Sequence, residues 1–487
     1  MIHALSTALA LTTGATVAWS TALFVLYVCV ALPLALHSLM HTRSTQGTIA
    51  WMICLLTIPV LAVPLYMVFG VRSIDRRTKR EMRDCGAESL QPALAPHLME
   101  GGPIIRTMQK CCDCGLVGGN TVDILRDGND TYPELERAIR GARRFVLVEF
   151  YIIRNDKVGE KLRDVLVERA QAGLDVYVVY DEIGSMKLAR GYLGTLRDAG
   201  VHVAPFNGKR FWLSSFLRVN FRNHRKLVVV DGELAYMGSL NIGLEYWHSR
   251  RRKRRARSEY WRDTFIGLRG PAVCQTMQSF MRDWYRATGE NIAARVAVQP
   301  QPAGTHPCQL VPSGPNDGAA SYWHLLVLEM AAHATERLWI TTPYFVPSEA
   351  VNAALLAAAL RGVDVRILVP QKSDNPLANL ALLTFQKELI SSGVKMLAYT
   401  PGVLHEKVTL MDRELCSIGS ANLDERSLRL NFELTMLMVG QEMNARVGAM
   451  MEDDMSRCVP LRADDWENSG WFVRVAARLC RLLSPVL

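Results

Sequence analysis

The sequence predicts an α/β protein of two similar lobes, preceded by two transmembrane helices. Three observations predict it. Two long uncharged stretches open the chain, strand-like and helix-like runs then alternate twice in the same order, and one 18-residue pattern recurs in both copies. The bulk numbers agree. With 49% hydrophobic and 21% charged residues there is ample apolar material for a packed core, which excludes intrinsic disorder. At 487 residues the chain is too long for one small domain. The formal net charge of +9 favours an anionic partner: nucleic acid, a membrane surface or a phosphate substrate. Eleven cysteines without an even framework of spacings argue against a disulfide-built secreted protein.

The N-terminus reads as membrane material. No Asp, Glu, Lys or Arg precedes Arg43, and none occurs in residues 44–71. A spanning helix needs roughly 20 apolar residues. A charge at mid-bilayer costs about 2.5–3.5 kcal/mol, so clean stretches of this length are informative. One helix is expected within residues 15–40 and a second within 48–69; Pro33, Pro59 and Pro64 are tolerated in membrane helices. A cleaved signal peptide would have a basic n-region and a shorter apolar run. Arg72, Arg76, Arg77, Lys79, Arg80 and Arg83 follow the second stretch, against Arg43 alone between the two. The positive-inside rule then places both the N-terminus and everything after residue 71 in the cytoplasm. Residues 72–118 are expected to form a basic juxtamembrane segment and linker.

The first lobe is expected over residues 119–298. It holds a strand-like run at 145–153, a helical stretch at 159–172 and a β-rich run at 176–180. The second, over 319–487, repeats the order at 338–346, 350–360 and 363–369. The wording matches too: "RRFVLVEFYIIRND" (143–156) aligns with "ERLWITTPYFVPSE" (336–349), pairing Tyr151 with Tyr344. Strands alternating with helices argue α/β lobes. Residues 299–318, with Pro300, Pro302, Pro307, Pro312 and Pro315, read as a Pro-rich linker.

The chemistry lies in the recurring pattern. Residues 224–241 read "HRKLVVVDGELAYMGSLN" and residues 405–422 read "HEKVTLMDRELCSIGSAN". One H-x-K-x4-D is a modest signal, but two copies sharing Gly-Ser-x-Asn at the same offset are not an accident. On a strand, His and Lys at i and i+2 share a face. The imidazole can be a nucleophile or a general acid/base near neutral pH, and the ammonium supplies charge and donors for phosphate oxygens. Two copies facing each other can put imidazoles on opposite sides of one phosphorus, as in-line displacement requires. No Cys/His/Asp spacing suggests a metal, and the two lysines can stand in for Mg²⁺.

The doubled motif resembles the phospholipase D superfamily. The two N-terminal helices, the length, "TTPYFVPS" (341–348), "GSANLDERSLRLNFE" (419–433) and the terminal "RLLSPVL" resemble, more narrowly, the bacterial cardiolipin synthases. The resemblance covers almost the whole chain. It implies two lobes of mixed sheet flanked by helices, related by a pseudo-twofold, with the site at their interface. It implies a multi-pass protein of the bacterial inner membrane. The implied reaction is a reversible phosphatidyl transfer through a phosphohistidine, without metal or cofactor, turning two phosphatidylglycerols into cardiolipin and glycerol. Hydrolysis, or transfer to another alcohol, needs the same motifs. Carried onto this chain, the resemblance makes His224 the nucleophile and His405 the general acid, then base, although the motifs themselves are symmetric here. Lys226 and Lys407 would hold the phosphate, Ser239, Asn241, Ser420 and Asn422 would complete the donors, and Asp231 and Asp412 would support the motif from behind.

A nucleophilic His also needs a carboxylate on its other nitrogen. Glu433 lies 28 residues after His405, and the matching Asp263 lies 39 after His224, so lobe one carries an insertion of 11. Asp263 and Glu433 are the expected orienting carboxylates, unless both are ordinary strand-end charges. The insertion holds "RRRKRRAR" (250–257), either a gatherer of anionic lipid or a solvated loop. "FWLSSFLRVNFR" (211–222) and "WFVRVAARLCRLL" (471–483) suit either the lipid interface or packing on the lobes. The partners expected are phosphatidylglycerol, other anionic lipids and the membrane; spanning helices argue against nucleic acid. "CCDC" (111–114) has no companion ligands for a closed zinc site. His97, His202, His306, His324 and His333 have no motif context.

Overall fold

The computed structural model describes residues 18–22, 24–25, 27–41, 45–70, 83–206, 220–247, 260–315, 317 and 320–483. The expectations for the basic run at 72–80, the segment at 211–219 and the cluster at 250–257 therefore lie outside the described residues. The chain divides into two compact units, residues 1–74 with 209–220, and residues 75–208 with 221–487.

In the first unit, Ala18–His41 is a helix of 24 residues with mean hydropathy 2.2. Among the described residues it is the one helix long and apolar enough to cross a bilayer, judged by length and composition. Where the second span is expected, the described residues form two shorter apolar helices, Thr45–Thr57 and Pro59–Gly70, rather than one long one. The chain leaves helical geometry at Ile58 (φ −133°, ψ 59°). Pro59 causes this, because its ring disfavours the α region for the residue before it. The helices of this unit meet through Ala31, Ala35, Leu55, Ala62, Val63 and Tyr66.

The second unit holds both motifs. Lobe one contributes β1 (Leu116–Arg126), β2 (Phe145–Phe150), β3 (Asp175–Tyr180), β4 (His202–Pro205), β5 (Lys226–Val230), β6 (Leu234–Gly238) and β7 (Thr264–Arg269). Lobe two contributes β8 (His306–Ser313), β9 (Arg337–Thr341), β10 (Asp364–Pro370), β11 (Lys395–Tyr399), β12 (Val408–Met411), β13 (Leu415–Gly419) and β14 (Glu433–Val439). All pair into one sheet, in the order β4-β3-β2-β5-β6-β7-β1-β8-β14-β13-β12-β9-β10-β11. That order is a palindrome about the β1–β8 pair, which is antiparallel. A twofold relation between two copies of one sheet requires both features. Within each copy the sheet is mixed: β2–β3 and β9–β10 are parallel, whereas β2–β5 and β9–β12 are antiparallel. The motif strand β5 reads KLVVV and is wholly buried, as a strand covered on both faces should be.

Helices cover the sheet in matching places. Lys157–Gln171 and Glu349–Leu360 cross between the parallel strands of their lobes, and Ala272–Thr288 and Gln441–Met455 follow β7 and β14. Each lobe has its own apolar core.

Two linker expectations are revised. Within 299–318, β8 is a central strand despite Pro307 and Pro312. Pro307 falls at an irregularity of the β1–β8 register. The Leu310 amide donates to Gln275 Oε1 (2.9 Å) rather than to β14. Two residues on, Pro312 faces that same edge, so its missing N–H costs the β14 ladder nothing. Within 72–118, the helix Pro103–Cys112 drives Ile104, Ile105 and Met108 into the core of lobe two. The C-terminal helix Trp471–Leu482 packs on the lobes as one of its two readings allowed. It buries Ala477 and Cys480 and lays Arg481 over the Phe385 ring at 4.5 Å.

Candidate active site

Each motif histidine sits where one lobe's backbone crosses to the other. His224 N–H donates to Phe432 O (2.9 Å), and Phe432 N–H donates to Arg222 O (2.8 Å). His405 N–H donates to Arg262 O (2.8 Å), at the end of a short parallel pairing of Gly402–Leu404 with Tyr260–Arg262. These crossings place each imidazole beside a carboxylate of the opposite lobe. His224 Nδ1 lies 3.0 Å from Glu433 Oε2, and His405 Nδ1 lies 2.7 Å from Asp263 Oδ1. Asp263 and Glu433 are thus brought to the imidazoles, as orienting carboxylates should be. The pairing is crossed, however, whereas the offsets of 28 and 39 residues each stay within one lobe.

The electrostatics define the proton positions. Burial pushes Asp263 up, but His405, Lys407 and Ser239 outweigh it and hold it at about 2. Burial is likewise outweighed at Glu433, by His224, Lys226 and Ser420, and its pKa is lowered. Both carboxylates are therefore ionised and only accept, so each Nδ1 carries the proton and each Nε2 keeps its lone pair. Burial pulls His224 down to about 4, against the pull of Glu433; Lys226 and Lys407 reinforce the fall. His405 is lowered by burial and by Lys407. Neutral imidazoles with a free Nε2 are what a nitrogen nucleophile requires.

The lysines stand beside them. Lys226 Nζ donates to His224 O (2.6 Å), and Lys407 Nζ donates to His405 O. Burial depresses Lys226 well below its ordinary value and brings Lys407 to about 8. Lys407 biases His224, and each lysine feels both Asp263 and Glu433, so the two motifs form one electrostatic centre.

The serines do something other than expected. Ser239 Oγ donates to Asp263 Oδ1 (2.7 Å), and Ser420 Oγ donates to Glu433 Oε2 (2.5 Å). A hydroxyl has one proton, so both hold the carboxylates rather than a substrate. Asn241 accepts from Ile152 N–H (3.2 Å) and donates to Tyr246 Oη (3.1 Å). Asn422 Nδ2 donates to Asp424 (3.1 Å), while its buried Oδ1 has no hydrogen-bond partner among the described residues.

Asp231 and Asp412 lie outside the reacting centre and act on the motif through the backbone. A five-residue strand puts Asp231 at the far end of β5 from His224, roughly 16 Å along it. Both aspartates turn the chain at positive φ (54° and 47°). Asp231 accepts the amides of Arg143, Arg144 and Phe145 at 2.8–3.0 Å. Asp412 accepts those of Thr335, Glu336 and Arg337 at 2.7–3.1 Å. Each pins the start of the strand beside its motif.

The sequence reading missed the middle residue of each motif. Arg225 is buried; its Nε donates to Glu433 O (3.1 Å) and its Nη2 to Ser313 O (3.2 Å), and it pairs with Asp283. Glu406 accepts from the buried Arg262 (3.1 Å), which also grips Asp454 (2.8 Å). Two lobe-one arginines thus latch lobe two. A charged residue inside an apolar strand run was the available signal, since buried charges are paired. Among the described residues no group of three or more His, Cys, Asp and Glu is arranged to hold a metal ion. Cys112 Sγ instead donates to Met108 O (3.0 Å), and His202 stacks on Tyr177 at 4.7 Å.

Comparison with known proteins follows the duplication. A family model described as "Cardiolipin synthase, PLD-like domain" matches residues 135–254 and 327–455. Cardiolipin synthase A of Pseudomonas putida is 39% identical over 464 residues, 93% of this chain and 95% of the relative. Cardiolipin synthase A of Pseudomonas aeruginosa is 39% identical over 93% of each. Among solved structures, phosphatidylserine synthase of Haemophilus influenzae shares the fold, with a TM-score of 0.60 at 14% identity over 80% of this chain and 100% of that one.

Proposed function

The chain belongs to the cardiolipin synthase family of phospholipase D-like proteins, and from that premise we propose that it joins two phosphatidylglycerols into cardiolipin and glycerol. The crossed pairs His224–Glu433 and His405–Asp263 carry the reading, because they give one centre two imidazoles with fixed tautomers. In the first step His224 Nε2 attacks the phosphorus and the bond to the glycerol oxygen breaks. His405, protonated in the lipid complex, gives its proton to that oxygen, and glycerol leaves. In the second step neutral His405 takes the proton of a second phosphatidylglycerol's hydroxyl. Its oxygen attacks the phosphohistidine, and the phosphorus–nitrogen bond breaks. Lys226 and Lys407 neutralise the phosphate oxygens, and no proton passes through Asp263 or Glu433.

The protein works at the bacterial inner membrane, crossed twice by residues 1–71, with the lobes in the cytoplasm. The helix Ala18–His41 and the uncharged run 44–71 support the anchoring, and the basic residues after position 71 support the orientation. Trp471, Phe472, Leu479 and Leu482 are exposed on a helix that also carries Arg474 and Arg478, a composition suited to lipid headgroups.

The test is purified protein on vesicles of phosphatidylglycerol alone. Glycerol and cardiolipin should appear in equal amounts, undiminished by EDTA. Accumulation of phosphatidic acid would mean water is the acceptor, and loss that zinc restores would overturn the metal-free route.

A further inference from the structure

The surroundings of the two imidazoles break the internal symmetry. On the His224 side, Tyr151 lies edge-on to the imidazole with ring centroids 4.9 Å apart. The side chains acting on Tyr151 include two cations, Arg222 from lobe one and Arg426 from lobe two. The carboxylate there, Asp181, is buried and occupied by the amides of Ile183, Gly184 and Asn223 at 2.9–3.0 Å.

On the His405 side, the matching Tyr344 shares its single hydroxyl proton between the oxygens of Asp374, which lie 2.8 and 2.9 Å from Oη. Asp374 is exposed, and besides Tyr344 its Oδ1 accepts only a long hydrogen bond, from Ser373 Oγ (3.5 Å), among the described residues. It is near enough to bias His405 and Lys407. The Trp261 and Tyr246 rings complete this side, with centroids 5.1 and 6.0 Å from that of His405. The side therefore offers an open carboxylate, a phenol and two aromatic faces. A phosphate would be repelled there. A polyol fits: its hydroxyls donate to the carboxylate and its CH faces lie on the rings.

We propose that Asp374 and Tyr344 form the subsite for the glycerol moiety, both the glycerol that leaves and the glycerol headgroup of the lipid that replaces it. This rests on the phosphatidyl-transfer reading and deepens it. In-line displacement puts the leaving and entering oxygens opposite the nucleophile, hence on the His405 side. Asp374 thereby selects a polyol over a simple alcohol or water.

The test offers phosphatidylglycerol vesicles two acceptors of equal carbon number, isotope-labelled glycerol and propan-1-ol, and reads labelled phosphatidylglycerol against phosphatidylpropanol by mass spectrometry. A hydrogen bond to a charged group justifies an effect of about tenfold or more. Asp374→Asn should lower the product ratio by at least that factor, and Tyr344→Phe should move it the same way by less. A ratio within twofold of the wild type in Asp374→Asn overturns the subsite, even while both products form. If the wild-type protein transfers to neither alcohol, the transfer reading itself falls, and the subsite with it.

Discussion

The two lobes carry the same motif and differ in how firmly they hold the opposite lobe's imidazole. Glu433 of lobe two has its carboxylate fixed by Ser420, Ser427 (2.9 Å) and Asn431 (3.2 Å) before it meets His224. Among the described residues, Asp263 of lobe one has only Ser239, and its Oδ2 has no hydrogen-bond partner. His224 is thus held by the stiffer carboxylate, beside a tyrosine on which two arginines act, whereas His405 has the looser one and an exposed acidic flank. Duplication supplied two equal sets, and the neighbours assigned them different work. A fixed ring suits a nucleophile, and a ring beside an exchanging alcohol suits a proton carrier.

The comparison can be broken most directly at the imidazoles. His224→Ala and His405→Ala should each lower cardiolipin formation by about 10³-fold or more. Acid-quenched enzyme with labelled lipid should carry the label on His224, and label on His405 would exchange the two roles. The next largest effect is on stability. Arg262→Met leaves Glu406 and Asp454 buried without their cation, at a cost of about 3–5 kcal/mol. Denaturant unfolding at neutral pH reads it, and a loss below 1 kcal/mol would mean the latch is dispensable.

The asymmetry between the carboxylates predicts a ranking. Glu433→Gln should reduce turnover about 10²-fold, and Asp263→Asn should reduce it less, because one imidazole depends on a more fully fixed partner. Equal losses would erase the distinction. The smallest effect is the pH profile. His224 must be neutral, which holds above about 4, and Lys407 must be charged, which holds below about 8. The rate should therefore rise through the first value and fall through the second or earlier, since His405 must also carry a proton to release glycerol. A profile flat across pH 7–9 would remove Lys407 from phosphate binding.

Much of this was legible in the sequence, because repetition survives reading in one dimension. The paired words around Tyr151 and Tyr344 gave two α/β lobes, and the palindromic sheet order bears this out. The motif histidines, lysines and both carboxylates meet in one centre. What the sequence hid is whatever depends on a crossing. Offsets along the chain pair Glu433 with His405, and only the backbone exchange at Phe432 and Arg262 reverses that. Ser239 and Ser420 look like substrate donors until their single protons are traced to the carboxylates. Asp231 and Asp412 travel with the motif, and strand rise carries them to its far end, where they support it as expected. Pro59 reads as harmless inside an apolar run, yet it divides the helix.

The exchange of acids between the lobes has an evolutionary edge. Neither half can decay into a passive copy while its twin keeps the reaction, since each twin borrows the group that sets its proton. Damage to one repeat therefore strikes the ring contributed by the other, and the two sequences are free to diverge only in what surrounds the shared phosphorus.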